Sequence, residues 1–416
     1  LPGFFVQENR LLRLLNLAFS EAKLLRDRVE MSSVNRWLLP EGIEELLPET
    51  ARRVEFLRRH LLNLYTSWGY QLVIPPLVEF TESLLLDQNS DLDLKTLKVM
   101  DRISGKMMGL RADITAQIAR IDAHAMRCSG ANRLCYAGSV VHTTPSAPLA
   151  SRSPIQIGCE LYGEPSVSGD VEVMSLMLQT LTTIGVSDLT LDLGHISILE
   201  ELQLAAELSE ADREALAAVL KTKSLAQLDA LLANLQIDAK IQQQLRAVAT
   251  IQGGSDALVE LDGLLRGTTN NLDVALDELQ TSFKVITKRF PAVAVFIDLT
   301  EMRGFDYHTG LVFSALSSAS GKPLANGGRY NNISHQFGRD RAATGFNCDL
   351  KALSLVATVE QPDSQVPIHV ASTDVEELWQ EIEVRRHNGE IVVEGDASKG
   401  GRQLIYRDQR AVLIDL

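Results

Sequence analysis

Between two apolar runs, residues 293–299 and 311–316, the chain carries Arg303, Gly304, Phe305, Asp306, Tyr307, His308 and Thr309, closed by Gly310. The flanking runs have the length and branched content of strands. The expected context is therefore two neighbouring strands joined near Gly310. A guanidinium, a carboxylate, a phenol and an imidazole would then sit between hydrophobic strands. Removing so many polar groups from water is costly unless they satisfy one another or a ligand. A self-contained Arg–Asp pair and a ligand site both meet that condition, and this stretch alone divides evenly between them.

The rest of the chain has to decide, and its bulk properties first remove some options. At 416 residues there is room for two or three domains, and 45% hydrophobic with 23% charged residues supports a sizeable core. A net charge of −14 disfavours a broad nucleic-acid surface, because polyanion binding draws its affinity from clustered Lys and Arg. Cys128, Cys135, Cys159 and Cys348 have no CxxC spacing, so they read as reduced thiols in a cytoplasmic protein, without a disulfide or zinc role. No run approaches the ~18 uncharged apolar residues of a spanning helix. Residues 11–19 are interrupted by Arg13 and Asn16 and carry no cleavage signature, so they suggest an amphipathic helix and not a signal peptide. The chain opens on Leu1; Met31 is read as the natural start and residues 1–30 as an extension outside the functional core.

From Pro48 to Trp68, Val54, Leu57, Leu61, Leu64 and Trp68 recur three or four apart, which predicts a long helix with Glu49 in its first turn. Gly69 ends it, and residues 70–74 read as a strand broken by Pro75 and Pro76. Residues 94–110 suggest a hairpin turning at Ile103-Ser104-Gly105-Lys106, and 116–125 a helix capped by Asp113 or Thr115. Strands are expected over 133–142 and 155–163. In the second, Gln156, Gly158 and Glu160 alternate with Ile155, Ile157, Cys159 and Leu161, so the amide and carboxylate share a face. On an exposed face they would merely be solvated; lining a pocket they would suit an ammonium. Residues 169–184 are expected to be helical and 189–193 a strand. Residues 198–283 turn rich in Leu, Ala, Glu and Gln, with breaks near Ser209, Ser224 and Gly253-Gly254, and read as an inserted module of short helices. Asn326-Gly327-Gly328-Arg329-Tyr330-Asn331 reads as a glycine-dense turn, and residues 361–416 as a small α/β tail.

No nucleophile elbow, Walker loop, HExxH or metal cluster is present. Instead, an ordered set of segments resembles the class II aminoacyl-tRNA synthetase fold, and specifically histidyl-tRNA synthetase. Residues 51–79 look like motif 1, which builds the dimer interface in that family. Residues 110–115, 136–160 and Gly345-Phe346 follow in the family's order. The 303–310 stretch and Gly327-Gly328-Arg329-Tyr330 resemble its two histidine-recognition peptides. The resemblance spans roughly residues 36–356 and implies an α+β fold: an antiparallel sheet flanked by helices, with an inserted helical module and a small C-terminal α/β tail. The expected boundaries are 1–30 for the extension, 31–197 with 284–360 for the synthetase-like domain, 198–283 for the insertion and 361–416 for the tail.

Where the family's motif 2 carries Phe-Arg-x-Glu, with the Arg on the α-phosphate of ATP, this chain has Val140-Val141-His142-Thr143. Where motif 3 ends in Gly-x-Glu-Arg, it has Asp349-Leu350-Lys351-Ala352. Without either arginine an adenylation transition state lacks its charge clamp, so no catalytic residue is expected, and no cofactor or metal. The amino-acid side of the pocket is kept. By position, Asp113 (for a Glu one methylene longer), Thr115, Gln156 and Glu160 match the groups that hold the substrate's α-amino end. Arg303 matches an arginine near the carboxylate; Tyr307, His308 and Tyr330 lie where the imidazole is read, His308 replacing a usual Tyr. The tail is too short and differently patterned for an anticodon-binding domain.

Together these features resemble one paralogous family, the regulatory subunits of ATP phosphoribosyltransferase, whose opening Trp37-Leu38-Leu39-Pro40-Glu41-Gly42 also resembles. The resemblance implies a non-catalytic subunit that activates a short catalytic partner in the first step of histidine biosynthesis. It also implies L-histidine as the feedback effector, a self-dimer through residues 51–79 and a hetero-octamer of four regulatory and four catalytic chains. The balance at residues 303–309 moves accordingly towards a ligand site that reads histidine as a signal. Two other readings stay open: an active histidyl-tRNA synthetase with an aberrant motif 2, and an RNA-binding synthetase-like protein, which the acidic net charge disfavours.

Overall fold

A computed structural model describes residues 37–85, 91–145, 150–300, 308–361, 366–395, 401–407 and 410–415. One compact unit runs to Val359 and a second covers Glu360–Leu416. Residues 1–30, and with them the proposed extension, lie outside the described residues, as do Arg303 and Tyr307.

With strands numbered along the chain, the first unit is built on an eight-stranded sheet. Its order is β1 (Gln71–Leu72), β5 (Asn132–Ser139), β6 (Ile155–Tyr162), β11 (Ala343–Asp349), β10 (Ala325–Arg329), β9 (Leu311–Ser317), β7 (Leu189–His195) and β8 (Ala294–Ile297). Pairing is antiparallel throughout the middle and parallel only at the two edges, β1 on β5 and β8 on β7. A smaller sheet of β2 (Val78–Phe80), β4 (Met107–Leu110) and β3 (Leu97–Met100) contains the expected hairpin.

The motif 1 helix spans Pro48–Ser67. Proline in the first turn lacks a donor that has no intrahelical acceptor there, and Glu49 complements the dipole. Val54, Leu57, Leu61 and Tyr65 bury one stripe, and Gly69 at φ +83° lets the chain reverse into β1. One face of the sheet is covered by this helix, by Val167–Thr183 and by Asn270–Arg289 in a continuous apolar core. The opposite face carries the polar site, with a smaller cluster of Ile114, Ile118, Leu134, Tyr136, Val140, Tyr162 and Tyr330 beside it.

Four expectations are corrected. The runs on either side of residues 303–310 are not neighbours, because β7 lies between β8 and β9 and pairs with both. Residues 326–331 contain most of a strand and not a turn: β10 pairs on both sides, and its glycines are there for closeness of approach. A Cβ on Gly327 would lie 2.4 Å from the Phe313 ring and from the Gly345 carbonyl oxygen. The helix after residue 114 is Thr115–Arg120 and continues as a π-helix, Ile121–Met126, a departure often found beside functional sites. The long helical stretch has further breaks near 235–238 and 266–269, giving helices at Ile196–Ala205, Glu210–Thr222, Leu225–Asn234, Ala239–Thr250, Ser255–Leu265 and Asn270–Arg289.

The second unit is a four-stranded sheet, β13 (Val392–Glu394), β12 (Ile368–Val370), β14 (Arg402–Arg407) and β15 (Arg410–Asp415). The Val375–His387 helix packs Leu378 and Ile382 against Ile368, Val370, Val392 and Leu404. Its outer strands β13 and β15 escaped the sequence pattern.

Candidate functional site

Glu160 is the centre of the site. It lies on β6 opposite Gly345 of β11, which in turn lies opposite Gly328 of β10, so these three residues share one face of the sheet. The glycines form a floor. A Cβ on Gly345 would stand 1.6 Å from Glu160 Oε2, and one on Gly328 2.5 Å from Cδ2 of His308. The carboxylate and the His308 imidazole thus lie side by side over backbone, in space that side chains would otherwise fill.

Three hydroxyls converge on Glu160. Thr115 donates to Oε1 at 3.1 Å, Tyr136 donates to the same oxygen at 3.2 Å, and Tyr330 donates to Oε2. No cation pairs with Glu160 among the described residues, although it is only 1% exposed. Burial, reinforced by the nearby charge of Asp113 and opposed by the Tyr330, Thr115 and Tyr136 hydroxyls, pushes its carboxyl up to about 8. Burial together with the Glu160 charge in turn holds the Tyr136, Tyr162 and Tyr330 phenols well above their usual range. A buried carboxylate with hydrogen-bond donors but no counter-charge is a socket for a cation.

Asp113 and Gln156 brace this socket. Gln156 donates from Nε2 to Asp113 Oδ2 at 2.8 Å and accepts from the Ile114 N–H at 3.1 Å; Asp113 Oδ1 accepts from the Thr115 N–H at 2.8 Å. Asp113 therefore serves the helix start from two residues upstream. Thr115 is the first helical residue, which frees its hydroxyl for Glu160. Of the residues singled out in the sequence, Asp113, Thr115, Gln156, Glu160 and Tyr330 converge here, and His308 flanks them over Gly328. The Tyr330 hydroxyl, expected at the imidazole, is spent on Glu160. Sequence reasoning missed Tyr136 and the glycine floor; the available signal was Gly158 opposite Tyr136, where a Cβ would meet the phenol oxygen at 2.7 Å.

In the strings that stand where motifs 2 and 3 are expected, Val141 and Ala352 fall at the arginine positions, and the neighbouring Lys351 and His142 are engaged within the protein. Lys351 donates to Glu44 Oε1 at 2.7 Å and to the Ser153 hydroxyl at 3.1 Å, and the His142 ring lies 3.0 Å from the Ala112 carbonyl. Arg152 donates to the His142 and Glu41 carbonyls, both at 3.0 Å. Arg111 is buried against the Ser139 and Pro75 carbonyls at 2.9 Å, and Arg120 pairs with Glu79 at 2.5 Å. Arg329 from the second recognition peptide belongs to the opposite face, where it pairs with Asp170 at 2.8 Å and donates to the Glu164 and Ser166 carbonyls. The chain just before residue 301 is tied to the helical stretch: Asp298 accepts from Lys223 at 2.7 Å and from the Thr300 N–H at 2.8 Å. Among the described residues no group of His, Cys, Asp and Glu could hold a metal, and no helix is long and apolar enough to cross a membrane.

Residues 42–353 match the family model for histidyl-tRNA synthetase. A protein of Saccharophagus degradans named ATP phosphoribosyltransferase regulatory subunit is 45% identical over 379 residues, covering 91% of this chain and 95% of that one. The chain belongs to the ATP phosphoribosyltransferase regulatory subunit family. Family membership agrees with the resemblance drawn from the motifs and with the name of a regulatory, non-catalytic chain. Among solved structures, an ATP phosphoribosyltransferase regulatory subunit/histidyl-tRNA synthetase from Bacillus halodurans superposes with a TM-score of 0.76 at 27% identity, over 86% of this chain and 93% of that one. The ATP phosphoribosyl transferase (HisG:HisZ) complex from Thermotoga maritima shares the fold with a TM-score of 0.56 at 20% identity, over 71% of this chain and 97% of that one.

Proposed function

We propose that this chain activates the short catalytic subunit of ATP phosphoribosyltransferase and binds L-histidine on the Glu160 face as the feedback signal. The observation that carries the ligand is a buried Glu160 with three hydroxyl donors, a glycine floor and no cation paired with it among the described residues; this suits an α-ammonium group, which supplies both a charge and further donors. Asp113 and Gln156 hold the loop beside it. His308 lies where a ligand ring would be read, and Arg303 and Tyr307 complete the proposed set at the carboxylate and the ring. In this reading the site does no chemistry, since Val141 and Ala352 stand where a synthetase would carry its nucleotide-binding arginines.

The partner follows from family membership, together with the Thermotoga maritima relative of this fold, whose structure is a complex of two kinds of chain. We take the assembly as a hetero-octamer of four regulatory and four catalytic chains in the cytoplasm, with self-dimerisation through residues 51–79. Histidine controls it only if it prefers one packing of the regulatory chain, and that packing must differ in its grip on the catalytic subunit. The tie between Lys223 and Asp298 gives the helical module, residues 198–283, a route to sense that change. The test is to mix this chain with the short catalytic subunit and assay phosphoribosyl transfer with and without histidine. Stimulation on mixing, reversed by histidine, is expected; an unchanged rate on mixing would sink the proposal.

A further inference from the structure

A cleft of about 680 Å³ opens on the side of the sheet away from Glu160. Arg133 comes immediately before Leu134, the β5 partner of Glu160, so its side chain emerges from the opposite face and shares nothing with the histidine site. The cleft is lined by Arg133, Arg289, Ser168, Ser175, Trp68 and Phe290, with Gly69 and Glu172 completing the wall. Ser168, Glu172 and Ser175 stand four and three residues apart on the Val167–Thr183 helix and so present one face.

The charges do not cancel. Glu172 is saturated by Arg133, which donates from Nε and Nη2 at 2.7 Å each, and by the Tyr70 hydroxyl at 3.1 Å. Arg289, the last residue of its helix, pairs with no carboxylate among the described residues. Arg289 is exposed, and its guanidinium is directed across the cleft by the buried Ser175 hydroxyl, which accepts from Nη1 at 2.9 Å while donating to the Val171 carbonyl at 2.6 Å. In a chain of net charge −14, a ligand-sized cleft with a guanidinium that has no carboxylate partner among the described residues, a second arginine beside it and the Ser168 hydroxyl, which lies 2.7 Å from that of Ser166, is a local anion trap. Trp68, whose indole N–H is bonded to Gln179 at 2.9 Å, and Phe290 add flat apolar walls.

We propose that this cleft binds a phosphate ester carried on a planar ring, of the nucleoside monophosphate class, with Arg289, Arg133 and Ser168 on the phosphate and Trp68 with Phe290 on the ring. The cleft is separate from the histidine pocket, so the chain would carry two effector sites on opposite faces of one sheet.

The probe is adenosine 5′-monophosphate titrated against the full chain, followed by tryptophan fluorescence and by calorimetry. Inorganic phosphate and adenosine are run alongside, and Glu160→Gln serves as the control for the other face. The expected result is saturable binding of the monophosphate, weaker binding of phosphate and of adenosine, and unchanged binding in Glu160→Gln. Arg289→Gln, an exposed change that leaves the core intact, should weaken binding about ten-fold or more, the loss of a charge-assisted contact. A thermal melt of that variant matching the parent excludes misfolding as the cause. Absence of saturable binding at millimolar monophosphate overturns the proposal. So does Arg289→Gln binding as tightly as the parent, or adenosine binding as tightly as its monophosphate.

Discussion

If an ammonium is to pair with Glu160, the carboxylate must first lose its proton, and this makes histidine binding pH-dependent in a calculable way. With the carboxyl pushed up to about 8, roughly 0.9 of the empty sites are protonated at pH 7 and about half at pH 8. Ionising the site at pH 7 therefore costs about 1.4 kcal/mol, and this falls to about 0.4 kcal/mol at pH 8. Histidine affinity should rise about five-fold over that unit, and each binding event at pH 7 should release about 0.9 of a proton from Glu160. Calorimetry in buffers of different ionisation enthalpy reads the proton count directly from the slope of apparent enthalpy against buffer enthalpy. The imidazole of free histidine also titrates, near 6.5, so the quantity to compare is the difference between the parent and Glu160→Gln. The variant should bind about 10- to 150-fold more weakly and lose the Glu160 share of the protons. Equal proton release in both proteins would refute the assignment of Glu160 as the ammonium acceptor.

The same group sets a stability trend. Its folded-state pKa lies above the unfolded value of about 4.5, so the empty protein keeps a proton that the unfolded chain has lost, and stability falls as pH rises from about 4.5 through about 8. Thermal melts at pH 6 and pH 8 should show that loss in the parent, a smaller one in Glu160→Gln, and recovery on adding histidine. Gly345→Ala would put a methyl 1.6 Å from Glu160 Oε2, so calorimetry should find histidine binding abolished, with about 1–3 kcal/mol lost in denaturant melts. Arg329→Met strands the Asp170 carboxylate, 1% exposed at its side chain, and should cost about 3–5 kcal/mol by the same melts. Lys351→Ala breaks a partly exposed pair with Glu44 and a bond to the Ser153 hydroxyl and should cost about 1 kcal/mol, with no gain of histidine-dependent pyrophosphate exchange.

Much of the site was legible because chemistry and periodicity coincide on β6. Gln156, Gly158 and Glu160 alternate with apolar residues, and a period of two puts all three on one face of the strand. The motif 1 helix was equally plain, since its buried stripe repeats at helical spacing. What the sequence hid were relations set by pairing between distant strands. Gly327 and Gly328 look like a turn when read along the chain, because glycine's commonest local use is a bend. They are strand residues because Phe313 and Gly345 of the neighbouring strands and His308, just before β9, leave no room for a Cβ. Likewise the run at 293–299 looks like the immediate neighbour of 311–316, whereas β7, from earlier in the chain, lies between them and pairs with both.

Arg111 and Arg329 show why charge alone misleads in a chain of this kind. Each sits within a stretch that resembles a ligand-binding peptide, and each could be taken from sequence as a contact for a carboxylate or phosphate. Both are instead consumed by the scaffold, Arg111 on three main-chain carbonyls and the Gln117 amide, and Arg329 on Asp170 and two carbonyls. Arg329 has all three guanidinium nitrogens engaged and Arg111 its Nε and Nη1, so removing either first exposes unsatisfied buried groups. Glu160 is the reverse case: among the described residues its partners are neutral hydroxyls, so it holds a proton when empty and becomes a free charge only as a cation arrives or the pH nears 8, while its position is fixed. Loss of Arg111 or Arg329 should therefore register first as lost stability, whereas Glu160→Gln should register first as lost affinity, with the empty fold made more stable at pH 8. A variant of Glu160 that lost stability at pH 8 and histidine affinity together would show that the carboxylate is part of the scaffold after all.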